Sequence, residues 1–70
     1  MNARMVEKNW PALKDKIKSK WGKLDDEEVE SVRGDLGLLA GKVRYVYGMA
    51  KVHADSQYDE FRKSVQGLIG

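Results

Sequence analysis

Seventy residues with no cysteine and a formal net charge of +2 hold one small domain, in a size range where a single core supplies only about 3 to 5 kcal/mol. Neither a disulfide nor a thiolate metal site can brace it, which agrees with a reducing compartment. The opening Met1 to Val6 lacks the apolar run of a signal peptide, and no later stretch approaches the roughly 20 apolar residues of a membrane span, so a cytoplasmic protein without stable membrane insertion is expected.

Charge is unevenly placed along the chain. Residues 1–24 carry seven Lys/Arg against Glu7 and Asp15, residues 25–35 carry six carboxylates against Arg33 alone, and the remainder has five basic side chains against three acidic ones. Opposite blocks on successive helices are expected to attract each other before they recruit a partner.

In chain order, residues 1–8 read as a flexible N-terminal segment and residues 9–70 as a single domain. Asn9 is a candidate N-cap, and Pro11 is tolerated in the first turn because its missing N–H would have had no partner there. Trp10, Leu13, Ile17 and Trp21 then recur at helical spacing, with lysines on the opposite face. Gly22 is expected to close this helix in the left-handed conformation. Asp25 follows as an N-cap with Glu28 as its capping-box partner, and Leu24 with Val29 forms a hydrophobic staple. The carboxylates of Asp26, Glu27 and Glu28 complement the positive end of the new helix. This second helix runs to about Arg33, buries Val29 and Val32, and ends at Gly34.

Asp35 is placed to cap a third helix whose stripe is Leu36, Leu39, Val43 and Val46, widened by Leu38 and Tyr47 and closed by Gly48. Gly37 and Gly41 each cost about 1 kcal/mol of helix propensity, so close approach of a neighbouring helix is expected at both. A fourth helix from Ala50 or Lys51 to about Gln66 carries Ala54, Tyr58, Phe61, Val65 and Leu68, with Gly67 as its stop. No run of alternating β-branched residues competes with these helices.

A shift of twenty-six residues carries Trp10 to Leu36, Leu13 to Leu39, Lys16 to Lys42, Ile17 to Val43, Trp21-Gly22 to Tyr47-Gly48, Leu24 to Ala50 and Val32 to Tyr58. The expected fold is therefore all-α: a small helical bundle of four short helices arranged as two αα-hairpins that pack orthogonally, because neither can bury its own stripe alone.

The pattern Asn9-Trp10, Leu13-Lys14, Lys16-Ile17-Lys18, Trp21-Gly22-Lys23-Leu24, Asp25-Asp26, Gly34, Leu39, Gly41-Lys42 and Tyr47-Gly48 resembles the CsbD-like family of small bacterial stress proteins. The resemblance spans about residues 9–50; beyond Lys51 it is one of pattern only. It departs from the typical family sequence at Asp15, where Gly is usual, and at Asp25, where Thr is usual; the second exchange keeps a capping oxygen. What the resemblance implies is a cytoplasmic protein of the general stress response with a four-helix fold of two orthogonal hairpins. It implies no activity.

The candidate chemistry is sparse. His53 is the only histidine and cannot assemble a zinc site without cysteine or several carboxylates. His53, Asp55 and Ser56 are triad residue types, yet neighbours on one helix do not converge as nucleophile, base and orienter must. The acidic run from Asp25 to Glu30 lacks the alternating oxygens and turn glycine of a calcium loop, and capping explains it better. No catalytic residue, metal site or cofactor is expected. The candidate interaction surface is Lys8, Lys14, Lys16, Lys18, Lys20 and Lys23, which could track the phosphates of a nucleic acid or another polyanion weakly and without sequence preference. The competing reading is a solvated face neutralised by the acidic second helix, with Trp10 and Trp21 in the core rather than serving as stacking platforms. The same helix could present its apolar stripe to lipid only if the core opened. A monomeric, non-enzymatic stress-response protein with an interaction or protective role is the leading expectation, and a weak nucleic-acid binder the alternative.

Overall fold

The computed structural model describes residues 2–70, and these form six α-helices and one 3-10 turn, with no strand among them. The helices are α1 (Ala3–Lys8), α2 (Trp10–Lys20), α3 (Asp26–Ser31), α4 (Leu39–Tyr47), α5 (Lys51–Ser64) and α6 (Gln66–Ile69), with the 3-10 turn (Leu36–Leu38) leading into α4. The all-α class is as expected, but the count of four is corrected to six, and both additions lie at the ends of the chain.

At the N-terminal end, where residues 1–8 read in sequence as a segment outside the domain, Ala3–Lys8 form a helix. The Asn2 side chain accepts from the backbone N–H groups of Arg4 at 2.9 Å and Met5 at 3.3 Å, and Val6 is buried at 4% exposure. One buried side chain in six residues leaves no period to read, which is why the sequence hides this helix. Met1 lies outside the described residues. At the other end, the fourth expected helix breaks at Val65 (φ −111°, ψ 18°) and resumes as α6 through Gly67. The break changes the phase, so Ile69 is buried where Leu68 was expected, and Leu68 is only partly covered. The two added helices pack on each other. The Asn2 N–H donates to the Ile69 carbonyl at 2.7 Å, and Asn9 Nδ2 donates to the Leu68 carbonyl at 3.0 Å. Asn9 thus makes no side-chain cap on α2; its amide ties the chain ends together instead.

Between these ends the boundaries follow local chemistry. Asp25 Oδ1 accepts from the Glu28 N–H at 2.8 Å while Glu28 Oε1 accepts from the Asp25 N–H at 3.2 Å, the reciprocal capping box. Leu24 and Val29 on either side of it are both buried. Asp35 accepts from the Gly37 N–H at 3.0 Å and so starts the 3-10 turn. Gly48, at φ +63°, closes α4 in the left-handed conformation, but Gly22 does not close α2 that way. There the chain turns at Trp21 (φ −125°, ψ 76°), whose N–H still reaches the Ile17 carbonyl.

The glycines inside the third expected helix also play a different part from the one their cost suggests. A Cβ at Gly41 would meet nothing within 4 Å, and one at Gly37 would meet only its own cap, Asp35 Oδ1, at 3.1 Å. No neighbouring helix backbone approaches either. Leu38, expected on the buried stripe, is 52% exposed: three residues per turn in the 3-10 segment align Leu36 with Leu39 and rotate Leu38 outward.

Among the described residues all fifteen buried side chains are hydrophobic, running from Val6 to Ile69, so the core is one continuous apolar cluster drawn from every helix. α2 packs on α3, α4 on α5, and α1 on both α6 and α2. The two copies of the repeated aromatic-glycine step meet: the Lys23 N–H, just after Trp21-Gly22, donates to Tyr47 Oη at 3.1 Å. Repeat symmetry fails further along, since Leu24 is buried while its counterpart Ala50 is exposed.

Trp21 joins the two halves through both its ring and its N–H. Its ring lies 5.2 Å from that of Phe61 on α5, tilted by 53°, and its Nε1–H donates to Gln57 Oε1 at 2.9 Å. Trp21→Ala should cost about 3 to 5 kcal/mol, comparable to the whole stability of a domain this size. Thermal melting followed by circular dichroism should show the cooperative transition lost or shifted far down; an unchanged midpoint would remove Trp21 from its assigned role.

Candidate functional site

The six lysines of the candidate surface leave α1, α2 and the turn after Trp21, and the structure divides them into pairs with different fates. α2 turns Trp10, Leu13 and Ile17 inward, which leaves its lysines near the surface. Two of these lie over α3. Lys14 Nζ stands 3.1 Å from Glu30 Oε2, and Lys18 is hydrogen-bonded to the Asp26 carboxylate. Two more are held by the second half of the molecule: Lys20 Nζ is 3.7 Å from Glu60 Oε1 on α5, and Lys23 Nζ sits 5.2 Å above the Tyr47 ring. Lys8 and Lys16 are exposed and form no ion pair among the described residues. The face is therefore not an even strip of free charge, because its centre is already matched to the protein's own carboxylates.

Glu30 organises that matching, and the sequence reading passed over it as one of six acids. Its Oε2 accepts from Trp10 Nε1 at 3.0 Å and from Lys14 at 3.1 Å, and its Oε1 accepts from Arg33 Nη1 at 3.3 Å. Arg33 in turn donates through Nε to Glu7 Oε1 on α1 at 2.9 Å and stacks its guanidinium 5.7 Å from the Trp10 ring centre. One carboxylate and one guanidinium thus link α1, α2 and α3. The sequence signal was the three-residue spacing of Glu30 and Arg33 beside a lysine-rich helix; the long-range partners Trp10 and Glu7 carried no local signal.

Trp10 and Trp21 are core side chains. Of the acids from Asp25 to Glu30, Asp25 and Glu28 form the capping box, Asp26 pairs with Lys18, and Glu30 joins the network around Trp10. His53 and Ser56 share a shallow open groove with Val52 and Gln57, while the Asp55 carboxylate is taken by Lys51 at 2.6 Å. Among the described residues no group of three His, Cys, Asp or Glu is gathered as a metal would need.

These contacts displace protonation. The indole N–H of Trp10, then Lys14, holds the Glu30 carboxyl below its ordinary range; Lys18 does the same for Asp26. Asp26 in turn raises the Lys18 ammonium above its usual value. A carboxylate with a lowered folded-state pKa stabilises the fold fully above its ordinary value of about 4 and loses that contribution as pH falls through the lowered value. A raised lysine contributes fully below about 10.4 and loses its contribution as pH rises through the raised value. The melting midpoint should accordingly be flat through neutrality, fall below about pH 4 and fall again in strong alkali. Glu30→Gln should melt lower at pH 7 and show a shallower acid limb in the same series of melts; an acid limb identical to that of the unaltered protein would exclude Glu30 as a contributor.

No family model matches the chain, and no solved structure does. Curated relatives do. The chain is 32% identical over 62 residues to a UPF0337 protein of Protochlamydia amoebophila, covering 89% of this chain and 94% of that one. It is 35% identical over 63 residues to the UPF0337 protein YjbJ of Escherichia coli O6:H1, covering 90% and 91%. To a UPF0337 protein of Pseudomonas aeruginosa it is 33% identical over 61 residues, covering 87% and 94%. Identity at that level, sustained over most of both chains and joined to the all-helical fold, means that the chain belongs to the UPF0337 family, the CsbD-like proteins.

Proposed function

We propose that this protein is a non-enzymatic member of the bacterial general stress response, monomeric and cytoplasmic, which acts by contact or protection rather than by chemistry, on a scaffold of two crossed hairpins. The observation that carries this reading is the character of the interior: every buried side chain is hydrophobic, and no buried side-chain nitrogen or oxygen among the described residues lacks a hydrogen-bond partner. Acid–base and nucleophilic catalysis rely on polar groups held with displaced pKa values in a sheltered site. Here the displaced carboxyls and cations are surface members of ion pairs, and the Tyr58 hydroxyl is raised chiefly by its partial burial. The test is genetic complementation. A strain lacking the gene should survive general stress less well, and a His53→Ala/Ser56→Ala variant that accumulates and folds normally should restore survival as fully as the unaltered protein. Failure of that variant alone would return catalysis to consideration.

Weak nucleic-acid binding through the lysine face is the second reading, and it is favoured by Lys8 and Lys16, which stand exposed outside the ion-pair network. Lys14, Lys18 and Lys20 would have to leave their carboxylates to join them. With two cations available, the logarithm of the affinity for duplex DNA should fall with log salt at a slope of about −2, against −5 for all of the lysines engaged. Titration at low salt followed by backbone amide shifts checks this: shifts confined to α1 and α2 that vanish in Lys8→Glu/Lys16→Glu support the reading, and an unmoved spectrum ends it.

A further inference from the structure

A different face of the molecule has the make-up of a contact surface. Asp35 is followed by the longest stretch of the chain without a carboxylate, residues 36–54, which contains Lys42, Arg44 and Lys51. The three large apolar side chains that stand exposed among the described residues all fall inside it: Leu38 at 52%, Tyr45 at 86% and Val52 at 70%. Outside it no large apolar side chain among the described residues is exposed, so their concentration in the longest carboxylate-free stretch joins two independent features in the same place.

The helix periodicity arranges part of this stretch. The step from Leu38, the last residue of the 3-10 turn, to Leu39 rotates the chain by about 100 to 120°, and the six steps of α4 from Leu39 to Tyr45 by about 600°, so Leu38 and Tyr45 come out on the same side. Gly41 and Gly48 fall on the same side, and a Cβ at either would meet nothing within 4 Å. Tyr45, Gly41, Gly48, Met49 and Arg44 line a shallow open groove along it. At 100° per residue, Lys42 falls to one side of the Leu38–Tyr45 line and Arg44 to the other. Neither cation forms an ion pair among the described residues, whereas Lys51 is held by Asp55 at 2.6 Å. The result is a narrow apolar ridge flanked by uncompensated positive charge.

We propose that this α4 face docks on an anionic lipid surface, with Leu38 and Tyr45 entering the headgroup boundary and Lys42 and Arg44 meeting lipid phosphates. Charge complementarity selects an anionic occupant, since Lys42 and Arg44 form no ion pair among the described residues and the carboxylate at the head of the turn, Asp35, is held by the Gly37 N–H. Among anionic occupants, the exposed aliphatic Leu38 separates a bilayer from a nucleic acid: it gains by partition into the acyl boundary and gains little against phosphates and sugars. Tyrosine suits the same depth, with its ring in the apolar zone and its hydroxyl in the wet one. A second copy of this chain is the poorer occupant, because a two-fold contact would bring Lys42 and Arg44 against their own counterparts. The fold can stay closed throughout, since the ridge stands outside the core. The cations invoked, Lys42 and Arg44, are not Lys8 and Lys16, so this proposal and the nucleic-acid reading fail independently.

Co-sedimentation with vesicles tests it, using phosphatidylglycerol mixed with phosphatidylethanolamine against phosphatidylcholine alone. The full chain should sediment with the anionic vesicles and remain in solution with the neutral ones. Leu38→Ser/Tyr45→Ser, which alters exposed positions and should keep the helical circular dichroism, should lower the bound fraction at least tenfold, as should Lys42→Gln/Arg44→Gln. Lys8→Gln/Lys16→Gln should change it less than twofold. Equal sedimentation with both vesicle types, or undiminished binding by the Leu38/Tyr45 variant, would overturn the proposal. So would loss of binding through Lys8 and Lys16. A dimer, or a complex with single-stranded DNA, that depends on Tyr45 in the absence of vesicle binding would assign the ridge to that partner instead.

Discussion

Trp21 buries its indole between α2 and α5, in contact with Phe61, and its ring N–H is met by Gln57. An aromatic side chain that buries about 150 to 250 Å² gains about 4 to 6 kcal/mol in transfer from water at 25 cal/mol per Å², as much as the net stability of a domain this small. That gain is usable only because the N–H does not go unpaired, which would cost about 1 to 3 kcal/mol. Gln57, half-buried on the exposed side of the ring, supplies the acceptor at the edge of the core. The remaining interior can therefore be wholly apolar, and no crosslink is needed to hold α2 against α5.

Trp10 repeats the arrangement on the other side of α2. Its ring is buried and its N–H meets Glu30, so each tryptophan anchors α2 to a different helix through one polar contact. Placing that contact on a carboxylate has a further effect. Glu30 carries a charge that attracts Lys14 and Arg33, and Arg33 reaches on to Glu7. Each such surface pair is worth little alone, but here the pairs share members with a core residue, so they fix the positions of three helices together. The basic face of α2 is consumed by this arrangement to the extent that the acidic block of α3 can reach it.

Much of the fold is legible in the sequence where one short stretch contains both the cause and the effect. The capping box at Asp25 and Glu28, the stripe from Trp10 to Trp21 and the left-handed Gly48 are all of this kind. What escapes is non-local. Asn9 has the chemistry of an N-cap, but its amide is drawn to Leu68, 59 residues away. Residues 3–8 fold because α6 is there to pack on, and nothing near Val6 announces it. Leu38 obeys helical spacing on paper and leaves the core because the first turn is 3-10. The candidate site divides in the same way. Opposite charge blocks foretell that α2 and α3 attract, yet which lysines are paired depends on the geometry of Glu30, Asp26 and Glu60.

The repeat adds an asymmetry that bears on how the surface is divided. Trp10 and Leu36, Leu13 and Leu39, and Ile17 and Val43 are buried in both copies, so the two stripes serve the same core. Outside the stripes the copies diverge: lysines Lys14, Lys18 and Lys20 surround the first and find carboxylates, whereas Leu38, Gly41 and Tyr45 occupy the outer side of the second, where no carboxylate follows until Asp55. A duplicated scaffold constrains only its inward positions, because those share one interior. Its outward positions are free to differ, and here one copy spends its charge on internal cohesion while the other leaves Lys42, Arg44 and its exposed apolar side chains unmatched within the molecule.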